Sequence, residues 1–178
     1  MATKVSLRQF QQDLAQRLSS AKDAPASAAR LGVQCGSSHW LIDLEDAGEI
    51  VPVPELTQVP LTKPWFLGMA NIRGGLFSVV DFSAFSGHEA TARSTDNRLV
   101  LAGSRFGINA ALLVSRMLGL RNPQQFQAVP NGADPAPWAG QTWHEGGGTG
   151  ETMHQMRSWR ELKLEHLVED PGFLNVGV

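Results

Sequence analysis

Residues able to hold a metal ion or to activate a nucleophile are few, and their spacing suits neither task. His144 and Glu145 precede His154, but the His–Glu–x–x–His spacing that places two imidazoles on one helix face is absent. The run Ser37–Ser38–His39 offers hydroxyls and an imidazole in a turn-like context, without the Gly-x-Ser-x-Gly frame of a hydrolase nucleophile. We therefore expect no catalytic residue, no metal site and no enzymatic activity.

A cofactor is equally unsupported by the motifs. Residues 146–150, Gly-Gly-Gly-Thr-Gly, share glycine content with a phosphate-binding loop but lack its Lys-Ser/Thr ending, so we interpret them as a hairpin tip. The single cysteine, Cys35, has no basic neighbour in sequence that would lower its pKa, and it is predicted to be a buried, unreactive thiol.

Composition limits the remaining classes of function. The 178 residues carry a formal net charge of −2, so the basic footprint of a nucleic-acid or anionic-membrane binder is missing. A lone cysteine suits a reducing compartment, and no stretch approaches the roughly 20 apolar residues that span a bilayer. The first ten residues lack the apolar run of a secretory signal. These features predict a cytoplasmic protein with no direct membrane insertion.

The N-terminal 30 residues differ in sequence pattern and composition from the rest of the chain. Phe10, Leu14 and Leu18 recur every fourth residue, which predicts an amphipathic helix over residues 5–18. Such a helix either packs on its own domain or binds a partner. Residues 20–30 are rich in Ala and Ser and predict a linker, so we divide the chain into a helix with its linker (1–30) and a domain (31–178).

The domain has the pattern of eight to ten short strands, which indicates a barrel or sandwich. Pro52 and Pro54 cannot donate to a β-ladder, so the segment that contains them must be an edge strand or an extended crossing. Asp81 is predicted to cap a single helical turn. Residues 110–120 suit strand or helix, residues 131–150 resemble a long loop, and residues 159–168 have a helical pattern that the following Pro171 would stop.

One segment combines a tight turn with a directional charge. Gly74 and Gly75 can take positive φ before a buried strand, and the resulting turn would present Arg73 at its edge. A guanidinium has a planar fork of donors that suits a partner's carboxylates. Equally, Arg73 can simply solvate the hairpin tip, and the residues alone leave both interpretations open.

A wider set of short motifs surrounds this turn. They occur in the order Glu49–Ile50, Val59–Pro60, Pro64, Phe66–Leu67–Gly68, Asn71–Ile72–Arg73–Gly74 and Val79–Val80–Asp81. Together these motifs resemble the signature of the CheW-like family of chemosensory coupling proteins. Ser115 stands where the family usually has Asp, and residues 131–150 depart furthest from its pattern.

The resemblance implies a mainly β fold of two SH3-like five-stranded β-barrel lobes in a CheW-like domain, with an N-terminal helix and a short C-terminal helix. It favours strand for residues 110–120. It implies a non-catalytic adaptor between the regulatory domain of a CheA-type histidine kinase and the cytoplasmic coiled-coil tip of a chemoreceptor, held at membrane receptor arrays through these partners. The implied partner-binding residues are Glu49, Ile50, Asn71, Arg73, Gly74 and Met117.

The ending Asp170–Leu174 and the N-terminal extension resemble the variant that serves type IV pilus twitching motility. The alternative from another class is a small OB-like barrel that binds an oligonucleotide or oligosaccharide. Such a groove interleaves basic and aromatic residues, and the sequence has no stretch of that kind.

Overall fold

The computed structural model describes residues 29–130, 136–146 and 157–178, which form eleven strands and three short α-helices. The predicted helix over residues 5–18 lies outside the described residues. The strands are β1 (Arg30–Cys35), β2 (Ser38–Asp43), β3 (Ala47–Pro52), β4 (Phe66–Ile72), β5 (Gly75–Asp81), β6 (Arg98–Ala102), β7 (Ala110–Val114), β8 (Arg116–Arg121), β9 (Phe126–Val129), β10 (Ala139–Glu145) and β11 (Ser158–Leu162). The helices are α1 (Phe82–Phe85), α2 (Leu164–Leu167) and α3 (Pro171–Leu174).

The strands form two sheets. The order is β8-β1-β2-β11-β10-β9 in the six-stranded sheet and β3-β6-β7-β5-β4 in the five-stranded sheet. Most neighbours are antiparallel, whereas β11 pairs with β2 and β5 with β7 in parallel. The expectation of a mainly β fold is confirmed. The expectation of five strands in each unit is wrong for one of them, because β9 adds a sixth strand beyond β10.

The two sheets share a hydrophobic core, and each also encloses a smaller one. Alternation along β2 shows this arrangement, since Trp40 and Ile42 face the shared core while Leu41 packs with Phe126 and Trp159. Strand β6 alternates in the same way in the other sheet. A strand between two cores is buried on both faces, which explains why all five residues of β7 are buried.

The ambiguous residues 110–120 are therefore strand, as the resemblance favoured, but they belong to both sheets. β7 lies in the five-stranded sheet. The strand is interrupted at Ser115, and the following strand, β8, pairs with β1 in the six-stranded sheet. The Ser115 amide donates to the Gln34 carbonyl at 2.8 Å, and the Ser115 hydroxyl accepts from the Gly36 amide at 3.0 Å. Residue 115 thus joins the two sheets.

Local signals around the proline and the aspartate are also confirmed. β3, which ends at Pro52, is an edge strand of its sheet, and among the described strands it pairs with β6 alone. Asp81 caps α1, because its side chain accepts from the amides of Ser83 and Ala84. The same buried carboxylate accepts from the Thr91 amide at 2.7 Å and the Thr91 hydroxyl at 2.8 Å, which ties the loop before β6 to the sheet.

The expected short C-terminal helix is present, but its predicted extent is wrong. A helix was expected over residues 159–168, but β11 occupies its first half and α2 covers only Leu164–Leu167. β11 is an interior strand with a core on each side, so residues on both of its faces are buried, namely Trp159, Glu161 and Leu162. Burial on both faces gives a sequence pattern that resembles the apolar face of a helix. Pro171 is the first residue of α3 and starts a helix rather than stopping one.

The loop expected over residues 131–150 also contains regular structure. β10 pairs with β9 on one side and with β11 on the other, so the part of this region with described strand structure belongs to the sheet. Its Trp143 packs against the cluster formed by Leu41, Phe126 and Trp159. The Gly and Pro content of the flanking residues concealed this strand.

Candidate partner-binding site

The hairpin between β4 and β5 presents the basic residue that the sequence singled out. Ile72 pairs with Gly75, and the two residues between them have positive φ, 50° for Arg73 and 82° for Gly74. This is the pattern of a two-residue hairpin loop of the primed type. The expectation of positive φ is confirmed for Gly74, whereas the second such residue is Arg73 and not Gly75.

Asn71 stabilises this turn from within. Its Oδ1 atom accepts a hydrogen bond from the Gly74 amide at 3.0 Å. The bond satisfies a backbone donor that the tight turn leaves without a ladder partner. Asn71 therefore acts on the turn itself and fixes the direction in which Arg73 projects.

Arg73 meets a residue from the opposite edge of the sheet. β3 and β4 are the two outer strands, yet the Arg73 Nη2 atom lies 2.6 Å from the Oε1 atom of Glu49 on β3. The sheet must curl for its edges to come this close. The Arg73 side chain is 79% exposed and that of Glu49 37%, so the pair stabilises the fold by at most about 1 kcal/mol.

Two apolar residues of the same sheet, close in sequence to this ion pair, are exposed. Ile50, the neighbour of Glu49, is 38% exposed, and Leu76 on β5 is 58% exposed. Leu76 pairs directly with Asn71, so the two side chains project from the same face of the hairpin. No sequence signal marks Leu76, because its β-branched and apolar neighbours predict only a buried strand.

A cleft of about 540 Å³ continues from the end of β3. Its apolar wall comes from four residues of the five-stranded lobe, namely Val53, Leu56, Leu67 and Leu113. The loop that Thr91 ties to Asp81 forms the other wall and contributes Arg93. We call Glu49, Ile50, Arg73 and Leu76, together with the four wall residues, the coupling surface, a name taken from the role that the resemblance implies.

Met117 occupies a different place. Five of the six predicted site residues, namely Glu49, Ile50, Asn71, Arg73 and Gly74, belong to the five-stranded sheet or its turn. Met117 lies on β8 of the other sheet, where it pairs with Val33 and packs against the shared core. The structure therefore brings the first five together and places Met117 on the other sheet.

The described residues contain no group of three potential metal ligands. Cys35 is 2% exposed, and its burial, aided by the negative charge of Asp81, raises the pKa of the thiol above its ordinary range. A thiol in this state is a poor nucleophile. The predicted burial of Cys35 is confirmed.

A model of the CheW-like domain family matches residues 30–170. The chain belongs to the CheW-like family. Among curated proteins, it is similar to the protein PilI of Pseudomonas aeruginosa, with 27% identity over 165 residues that cover 93% of this chain and 89% of PilI. Among solved structures, it is similar to the scaffolding protein TtCheW from Thermoanaerobacter tengcongensis, with a TM-score of 0.63 and 18% identity over 82% of this chain and 95% of that one.

This CheW-like protein is therefore a scaffold of chemosensory signalling and a homologue of PilI, and its family is non-catalytic. The match gives no support to the OB-like alternative. Within the described residues, no helix is long and apolar enough to cross a membrane.

Proposed function

We propose that this protein couples the cytoplasmic tip of a chemoreceptor to the regulatory domain of a CheA-type histidine kinase, and that the coupling surface makes the contact. It would act in the cytoplasm, at membrane receptor arrays to which its partners hold it. The similarity to PilI over most of both chains supports a role in type IV pilus twitching motility.

The conformation of Arg73 is the observation that carries this proposal. At φ 50° an L-residue with a long side chain is disfavoured, and Asn or Gly is the usual choice in such a turn. An exposed ion pair offers little stability in return. Strain of this kind persists in proteins mainly where a side chain has a functional role, so an exposed Arg in this turn favours recognition over stability.

The shape and chemistry around Arg73 suit an amphipathic helix. A groove that accepts such a helix needs an apolar lining and a few charges that set direction and register. Val53, Leu56, Leu67 and Leu113 supply the lining of the cleft, and Ile50 and Leu76 are further exposed apolar residues of the same sheet. Arg73 supplies the directional charge.

A charge swap tests the proposal. Binding of a CheA-type regulatory domain and of a receptor-tip fragment would be measured for Arg73→Glu, for Glu49→Arg and for the double variant. We expect Arg73→Glu to weaken binding at least about thirtyfold, as the loss of a central contact does. The double variant regains the internal ion pair but presents the wrong charge, so its binding stays weak.

A matched control is the pair Arg116–Asp96, which is also exposed and is joined at 3.4 Å. Arg116 is adjacent to Met117, but successive residues of a strand project from opposite faces. Arg116→Glu is expected to bind both partners as the unchanged protein does. Full binding by a folded Arg73→Glu protein contradicts the site, and recovery of binding in the double variant means that only the internal ion pair matters.

A further inference from the structure

A second cleft, of about 450 Å³, lies on the six-stranded sheet and is not part of the coupling surface. It opens where the parallel neighbours β2 and β11 begin, next to the turn between β1 and β2. Its polar lining comes from Ser37, Ser38, His39, His88, Arg157, Ser158 and Arg160, together with Thr142. Trp40 and Trp159 complete it.

The described residues of this lining are hydrogen-bond donors, and none of them is a carboxylate. Two guanidinium groups can only donate, and hydroxyl and imidazole groups can donate when an acceptor is present. Trp40 is 3% exposed, and its indole N–H has no acceptor among the described residues. Donor sets of this kind match a ligand that only accepts, which is the property of an oxyanion.

The carboxylate of Glu145 only partly neutralises the two arginines nearest to it, Arg121 and Arg157. Glu145 accepts from the Arg121 Nη1 atom at 3.1 Å and from the Trp159 indole at 3.1 Å. The Arg157 guanidinium is 3.9 Å from the same carboxylate and its side chain is 48% exposed, so this ion pair is weak. One carboxylate thus faces two arginines beside the cleft, Arg121 and Arg157, and the Arg160 guanidinium lies 5.9 Å from the Trp40 ring.

We propose that this cleft binds a doubly charged oxyanion of the phosphoryl class through Arg157, Arg160 and the hydroxyls of Ser37 and Ser38. Planar guanidinium groups can contact two oxygens of such a ligand at once, and serine hydroxyls suit a third. The four proposed ligand-binding residues lie outside the coupling surface, because they belong to β11, to the residue before it, to the turn between β1 and β2 and to the first residue of β2.

His39 reports on the occupancy of this site. Its ring lies 5.2 Å from that of Trp159, and burial, followed by the charges of Arg157 and Arg121, lowers the pKa of the imidazole, while Glu145 raises it. His88 faces the same cleft from the loop after α1. A bound dianion adds negative charge to this environment and must raise the His39 pKa.

The first measurement is an NMR titration of the full chain with inorganic phosphate at pH 8, against chloride at matched ionic strength. We expect saturable shifts at residues 37–40 and 157–160 with phosphate alone. Arg157→Gln and Arg160→Gln are each expected to weaken binding about tenfold or more, as the loss of a charged hydrogen bond does. Arg93→Gln, which removes an exposed arginine outside the lining of this cleft, is expected to have no effect.

The second measurement follows the imidazole of His39 with sulfate, which stays doubly charged across the histidine titration. A raised pKa in sulfate and not in chloride supports the site. A third arm compares inorganic phosphate with a phosphoserine peptide: tighter binding of the peptide identifies a modified side chain as the source, and equal binding a free anion. Equal shifts with chloride, an unchanged His39 pKa or full affinity of the folded Arg157→Gln protein would overturn the proposal.

Discussion

Replacing Arg73 by Asn should separate the stability of this protein from its binding. Asn adopts positive φ at lower cost than Arg and is favoured before Gly in a primed hairpin turn. The replacement should therefore stabilise the turn by about 0.5–1 kcal/mol, by relief of the left-handed conformation at φ 50°. It also removes the exposed ion pair with Glu49, which costs about 0.2–1 kcal/mol.

The two contributions nearly cancel, so the free energy of unfolding should stay within about 1 kcal/mol of the unchanged protein. For a chain of this length that corresponds to a shift in Tm of no more than about 4 °C. Binding should behave differently. Loss of a guanidinium from the middle of an interface costs about 2 kcal/mol or more, which is roughly a thirtyfold weaker Kd.

The assay is a thermal melt and a calorimetric titration on the same preparation, with the regulatory domain of a CheA-type kinase and a receptor-tip fragment as ligands. Glu49→Gln is the matched variant, because it removes the same ion pair and leaves Arg73 in place. We expect it to bind more tightly than Arg73→Asn. A large loss of stability in Arg73→Asn would refute the argument from backbone strain, and unchanged binding would refute the assignment of Arg73 to the surface.

Three further results are expected. Gly68→Ala should lower the denaturant midpoint more than Gly74→Ala, since both have positive φ but only at Gly68 would a Cβ lie 2.3 Å from the Thr57 carbonyl oxygen; equal losses would contradict this. The pKa of His39 is lower in the folded than in the unfolded state, so this residue contributes stability above its unfolded pKa, and that stability is lost as the pH falls through the folded pKa. His39→Gln should therefore flatten the pH dependence of Tm between about pH 5 and 7. An unaltered profile would count against this expectation. Deletion of residues 1–28 should change Tm by less than about 10 °C, since the three described cores are built without them, and a larger drop would mean that this segment belongs to the core.

Expectations that rested on local chemistry were confirmed. Pro52 predicted an edge strand because a proline nitrogen cannot donate to a ladder, and β3 is at the edge. Asp81 predicted a capped turn, and it caps α1. The glycine of the Arg73–Gly74 turn predicted positive φ, and its φ is 82°. Each of these properties depends on a few consecutive residues, so neighbours in the sequence were sufficient.

The secondary-structure predictions for the segments that form β10 and β11 were wrong. Residues 159–162 were included in a helix predicted over residues 159–168, because strand β11, buried on both faces, lacks the simple alternation of a half-exposed strand. β10 was missed because it lies between segments rich in Gly and Pro. One sheet neighbour of β11, the strand β2, comes from a distant part of the chain, whereas β10 pairs with the strands before and after it, β9 and β11.

By itself the sequence determined a mainly β domain, the edge position of β3, the cap at Asp81 and the turn that presents Arg73. Only the tertiary structure decided that Glu49 meets Arg73, that Leu76 is exposed on the hairpin that carries Arg73, and that His39, Arg157 and Arg160 line one cleft. The physical reason is that these groups are joined through sheet curvature and through parallel pairing of β2 with β11. Such contacts depend on how whole strands pack, and residues far apart in sequence carry no local signal of them.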